Sequence, residues 1–108
     1  MTAMSTQRLV SADVLTEPVT PDGASAALAT AAVGLLTTEV EIGLWEAGPG
    51  TDSDVEADEV FLVLGGAGRV GFEDGSAIEL RPGVLVRLRR GDRTTWHITA
   101  RLRKLYVA

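Results

Sequence analysis

From Thr37 onward, turn-forming residues recur every 8 to 12 positions, and apolar residues alternate or run in short stretches between them. Gly48-Pro49-Gly50, Gly65-Gly66, Asp74-Gly75, Pro82-Gly83 and Gly91-Asp92 supply the breaks. This cadence fits a small barrel or sandwich of short strands. Val40, Ile42 and Leu44 alternate with Glu39, Glu41 and Gly43, the period of a strand buried on one face. Val60 to Leu64 is a continuous apolar run of strand length, and Gly65-Gly66 and Gly68 interrupt the path before Val70 and Phe72. Asp74-Gly75 between Phe72 and Ile78 is a hairpin signal. Val84, Val86 and Leu88 alternate into the turn Arg89–Asp92, and two further strands, Thr95–Thr99 and Leu102–Val107, close the chain.

The first 36 residues are less regular. Leu9, Val10, Val14 and Leu15 suit a short edge strand, while Pro18, Pro21 and Asp22-Gly23 mark turns. In residues 24–36 the alanines favour helix, but the spacing of Leu28, Val33, Leu35 and Leu36 suits a short helix or a strand equally. The 108 residues therefore read as one structural domain: an N-terminal arm and edge segment, 1–36, packing on a barrel, 37–108.

Composition removes several kinds of chemistry. There is no cysteine, so disulfides, thiolate nucleophiles and Cys-ligated zinc are excluded, and a reducing, cytoplasmic setting suits the chain. Met1–Val10 lacks the apolar core of a signal peptide, and Ala24–Leu36 is too short and alanine-rich to span a bilayer, so no membrane partner is expected. The net charge is −5, and eight acidic residues crowd positions 39–59. Such a face repels phosphate and argues against nucleic acid. Arg87, Arg89, Arg90, Arg93, Arg101, Arg103 and Lys104 balance it, and their alternation suits strand faces that look outward or into a subunit contact.

An ordered series of residues resembles a known family. Gly43-Leu44-Trp45-Glu46 with Pro49-Gly50, then Asp58-Glu59-Val60-Phe61 with Leu64-Gly65-Gly66, resembles the opening and first motif of small single-domain cupins related to (S)-ureidoglycine aminohydrolase. Asp74-Gly75, Arg81-Pro82-Gly83, Gly91 and Thr95-Trp96 resemble the hairpin and second motif, and Arg103–Val107 the closing strand. The resemblance spans residues 37–107. It implies an all-β fold: a single cupin barrel, or double-stranded β-helix of jelly-roll type, preceded by a short, less regular N-terminal segment. It also implies a small-molecule pocket and a homodimer.

Cupins of this pattern hold a metal with three histidines and a glutamate. Glu59, separated from Gly66 by six residues, takes the glutamate position. The histidine positions fall on Asp52 and Asp54 or their neighbours, and on Thr94. Imidazole is the ligand that suits manganese, iron, nickel and zinc, so the pattern predicts no cofactor. A divalent ion (manganese, magnesium or zinc), if held, would have Asp52, Asp54 and Glu59 as its carboxylates, with water completing the site.

With Thr94 inward, alternation sends Trp96 and Ile98 inward and the only histidine, His97, outward. One histidine and no cysteine leave Ser-His-Asp and Cys-His mechanisms without support. Glu59 is then the candidate acid or base. Its alternative is a rim carboxylate, solvated or paired with an arginine such as Arg69. Trp96, Thr94, Tyr106, Phe61 and Trp45 are the candidate substrate-binding residues. Each is also compatible with simple core filling. The expected function is a metal-independent isomerase, cyclase or hydrolase acting on a small polar metabolite. The alternatives are a non-catalytic ligand-binding module and a dimeric structural cupin.

Overall fold

The computed structural model describes residues 8–108. Eight strands follow in order: β1 (Thr20–Pro21), β2 (Ala31–Thr37), β3 (Glu41–Ala47), β4 (Gly50–Val55), β5 (Glu59–Phe72), β6 (Ala77–Leu80), β7 (Leu85–Leu88) and β8 (Arg93–Val107). Every pairing is antiparallel. β5 and β8 are long enough to serve both walls of the molecule. One wall runs β1-β2-β3-β8-β5-β7, and the other runs β4-β8-β5-β6. This is the expected single antiparallel jelly-roll barrel. Phe61, Val70, Leu88, Trp96, Ile98 and Leu102 fill the space between the walls.

The two long strands differ from the sequence expectation. The glycines after Leu64 do not end a strand, and residues 93–107 form one strand rather than two. The reason is a set of register shifts, between Val63 and Gly65, Gly65 and Ala67, and Ala67 and Gly68, where β5 bends from one wall to the other without losing its partner. Bulges bend and twist strands in this way. Gly66 carries the bend at φ +87°, and a β-carbon there would collide with the Arg101 carbonyl oxygen.

The three expected turns are present. Phe72 N–H donates to Ser76 O at 2.8 Å across Asp74-Gly75, and Pro82-Gly83 joins β6 to β7. Between β7 and β8 the Asp92 carboxylate accepts from Arg89 N–H at 2.8 Å. That last turn also anchors the segment before β5. Glu56 N–H donates to Asp92 O at 2.9 Å, Gly91 N–H to Glu56 O at 2.8 Å, and Arg90 N–H to the Asp58 carboxylate at 2.9 Å.

The N-terminal segment departs further. Leu9, Val10, Val14 and Leu15 form no strand; Asp13 O instead accepts from Thr16 and Glu17, closing a turn. The edge strand is the two-residue β1. Residues 24–36 resolve into a turn at Ala26–Ala29 followed by β2. Arg103 Nη1 donates to Val14 O at 2.9 Å, so this arm meets the outer face of β8. Val33, Leu44, Leu105, Leu62 and Leu85 form one row across that face. Leu44 is fully buried, whereas Leu85 at the far end is 68% exposed. Met1–Gln7, the start of the expected arm, lies outside the described residues.

Gly65 and Gly66 separate backbone demand from side-chain room. A β-carbon on Gly65 meets nothing within 4 Å and Gly65 has no positive φ. Gly66→Ala should therefore cost at least about 2 kcal/mol in urea unfolding, and Gly65→Ala less than about 1 kcal/mol. Equal costs would contradict the bulge as the bending device.

Candidate functional site

Along β8, Leu102, Lys104 and Tyr106 point inward, in register with Ala47, Trp45 and Gly43 of β3. On the other side Lys104 lies opposite Val63, and Tyr106 opposite Phe61, of β5. Lys104 is thus a charged residue on a core-facing row, and its side chain is only 6% exposed. Its ammonium sits 4.4 Å from the Phe61 ring centroid, 4.6 Å from Trp45 and 4.9 Å from Trp96. Glu59 Oε2 accepts from Nζ at 2.6 Å. A buried ammonium is costly unless paired. Here one carboxylate and three ring faces replace its water, each ring worth roughly 0.5–2 kcal/mol.

Tyr106 packs its ring over Gly43, where any β-carbon would overlap the phenol. Its hydroxyl donates to Glu41 Oε1 at 2.9 Å. Burial, the bond to Glu41 and the negative charges of Glu41 and Glu59 push the phenol up to about 12.

The facing wall comes from β4. Asp52 and Asp54 lie in register with Trp96 and Thr94 and share their inward face. The segment tied to the Arg89–Asp92 turn brings in Glu56. Its Oε2 accepts from Thr94 Oγ1 at 2.6 Å and from Trp96 Nε1 at 3.0 Å. Residues 22–30 close the top. Asp22 accepts from Thr30 Oγ1 at 2.6 Å and from Ala24 N–H at 2.9 Å, and Ser25 Oγ donates to Asp52. The Thr30 hydroxyl and then the Ala24 N–H hold Asp22 below the usual carboxylate range. The Ser25 hydroxyl, with Ser53 N–H, does the same for Asp52.

These elements enclose a cavity of about 370 Å³, within the range of small-molecule sites. Of the residues singled out from sequence, Glu59, Trp45, Trp96, Tyr106, Asp52 and Asp54 line it. Phe61 does not; it is fully buried beneath Lys104. Thr94 sits behind the wall, bonded to Glu56. Arg69 is not the partner of Glu59, because it pairs with Glu79 at 3.0 Å on the exposed surface. His97 faces outward as expected, its Nδ1 2.7 Å from Thr51 Oγ1. Lys104, expected with the arginines on an outward or subunit-contact face, instead points inward onto the cavity wall, and sequence reasoning gave no sign of Glu56 or of the Ser25–Asp52 closure.

The sequence profile of the EutQ-like cupin domain matches residues 36–106. The chain belongs to this cupin family. No curated protein matches it in sequence. Solved structures share the fold. The ethanolamine utilization protein EutQ of Salmonella typhimurium superposes with a TM-score of 0.66 at 21% identity, over 73% of this chain and 68% of that one. Ectoine synthase from P. lautus gives 0.67 at 16% identity, over 77% of this chain and 64% of that one. The polyketide cyclase RemF from Streptomyces resistomycificus gives 0.71 at 19% identity, over 91% and 77%.

The residues of this cupin do not fit the metal that the histidine pattern implies. Among the described residues, no three of His, Cys, Asp and Glu converge as ligands. Glu59 is engaged by Lys104, Asp52 by Ser25, and Thr94 by Glu56.

On the outer face, Glu46 accepts from Arg101 at 2.7 Å and from Arg103 at 2.6 Å. Burial alone would raise Glu46, but the two guanidiniums outweigh it and hold the carboxyl low. Its stabilising contribution is therefore present above the unfolded carboxylate range and fades as pH falls through the lowered folded value.

Tyr106 is the only tyrosine, so phenolate absorbance reports it alone. The folded protein should titrate near 12, and the urea-unfolded chain near about 10. The folded state holds the proton more tightly, so stability should fall as pH rises through this interval. Glu41→Gln should lower the folded midpoint; an unchanged midpoint would remove Glu41 as a cause.

Proposed function

We propose that this cupin binds a small polar metabolite between Trp45, Trp96 and Tyr106 and transforms it by proton transfer at Glu59, without a His-ligated metal. The observation that carries this reading is the Glu59–Lys104 pair on the cavity wall. Lys104 holds Glu59 Oε2, while Oε1 makes no hydrogen bond among the described residues. A fixed carboxylate with one uncommitted oxygen suits general-base catalysis, and the two indoles suit a flat or apolar substrate body. Isomerisation, cyclisation and hydrolysis all need such a proton shuttle. The names of two structural neighbours, a synthase of ectoine and a polyketide cyclase, favour cyclisation among them. The sequence resemblance to ureidoglycine aminohydrolase relatives favours a nitrogen-rich substrate.

The second reading is a binding module. It is favoured by the ion pair itself, which takes up half of the Glu59 carboxylate. Thermal-shift and native mass-spectrometric screening of small metabolites should identify a ligand, and its consumption can then be followed by NMR. With an enzyme, Glu59→Gln, assayed below its lowered Tm, loses about 10²- to 10⁴-fold in kcat. A ligand that wild type binds but never converts, with Glu59→Gln altering affinity alone, would establish the binding module instead.

A further inference from the structure

The sequence resemblance assigns Glu59 to the cupin metal-binding glutamate, and the group against it is the chain's own ammonium, 2.6 Å away. Three aromatic faces surround that ammonium at 4.4–4.9 Å. Ring faces attract an ammonium through the π quadrupole but have no lone pair to offer a transition metal. The enclosure is therefore chemically an ammonium site. It is assembled from three strands: Trp45 on β3, Glu59 and Phe61 on β5, and Trp96 on β8.

We infer that Lys104 is the resident cation of this barrel: its ammonium fills an aromatic–carboxylate box selective for alkylammonium over divalent metal, and so takes the place of a cupin metal ion. The box holds this charge whether or not the pocket turns over a substrate. The cation is covalently tethered, so the charge cannot be lost to a chelator or exchanged for another ion.

The test removes the tether. Lys104→Ala deletes the equivalent of one propylammonium ion, leaving Glu59 facing the empty box. Its Tm should fall by more than about 10 °C, as expected when one partner of a buried pair is removed from a small domain. Propylammonium at tens of millimolar should restore several degrees. The same concentration of 1-propanol should restore little, and Mn²⁺ or Zn²⁺ none.

Lys104→Met and the double variant Lys104→Met/Glu59→Gln keep the volume and cover the case in which the alanine variant does not fold. The double variant should be more stable than Lys104→Met, because no charge is left alone. Stabilisation of either single variant by Mn²⁺ or Zn²⁺ with no response to propylammonium would overturn the inference. So would a double variant no more stable than Lys104→Met. Wild-type protein should show the same Tm in chelator and in excess divalent metal; a metal-induced rise abolished by Glu59→Gln would likewise sink it. None of these readings depends on turnover, so a failed Glu59→Gln activity assay leaves them intact.

Discussion

β5 and β8 pair from Val60–Val107 to Phe72–Thr94, and every other strand but β1 and β2 hydrogen-bonds to one of these two. Their shared bend turns one pairing into two walls. Without the shifts at Val63–Gly68, a fourteen-residue and a fifteen-residue strand would continue as one flat ribbon. The bend puts Trp96 on one wall and Lys104 on the other, both facing inward. It also puts Glu59, at the start of β5, within reach of Lys104, near the end of β8. The ion pair is thus a consequence of register: slipping β8 by one residue against β5 would turn Lys104 outward and bring Arg103 or Leu105 in.

Energetically the pair is a poor choice for stability alone. Desolvating an ammonium and a carboxylate costs several kcal/mol each, and replacing such pairs by apolar residues is often neutral or stabilising. Its neighbours between the walls are mostly apolar: Phe61, Leu88, Ile98 and Leu102 are fully enclosed. A leucine or methionine at position 104, with a neutral residue at position 59, would pack among Trp45, Phe61 and Trp96 without any such cost. The placement of a lysine there, bordering a cavity, is easier to understand as a requirement of the pocket. The contrast with Glu46 is instructive. That carboxylate meets two guanidiniums on the outer face, where solvent is near and the contribution is mainly to hold Arg103 against the arm.

The sequence made the barrel legible because turn chemistry is local. Asp74-Gly75, Pro82-Gly83 and Arg89–Asp92 each form their turn from adjacent residues. The inward phase of Thr94, Trp96 and Ile98 was equally legible, and with it the outward His97. Lys104 lies on that same even-numbered phase, which continues through Leu102 and Tyr106. Charge hid it: a lysine groups with the outward Arg101 and Arg103, although an inward Tyr106 two positions on already fixes its phase. β4 was invisible for a different reason: Asp52 and Asp54 face inward and Ser53 outward, and a strand whose only large apolar residue is the exposed Val55 has no hydrophobic period. Glu56 depends on a docking between residues 56–58 and 90–92 that no local pattern encodes.

The remaining cavity walls carry a consistent chemical bias. The donors of Ser25, Thr30, Trp96 and Tyr106 are already given to Asp52, Asp22, Glu56 and Glu41. The wall left over is made largely of carboxylate oxygens and ring faces. In that setting a tethered ammonium differs from a metal ion in kind. It offers up to three N–H donors and one charge, but no empty orbital with which to polarise a carbonyl. Its effect on Glu59 is to fix one oxygen and offset one charge, leaving the other oxygen in a negative, aromatic-walled space. A carboxylate so held keeps that oxygen open to a hydrogen bond from a bound ligand.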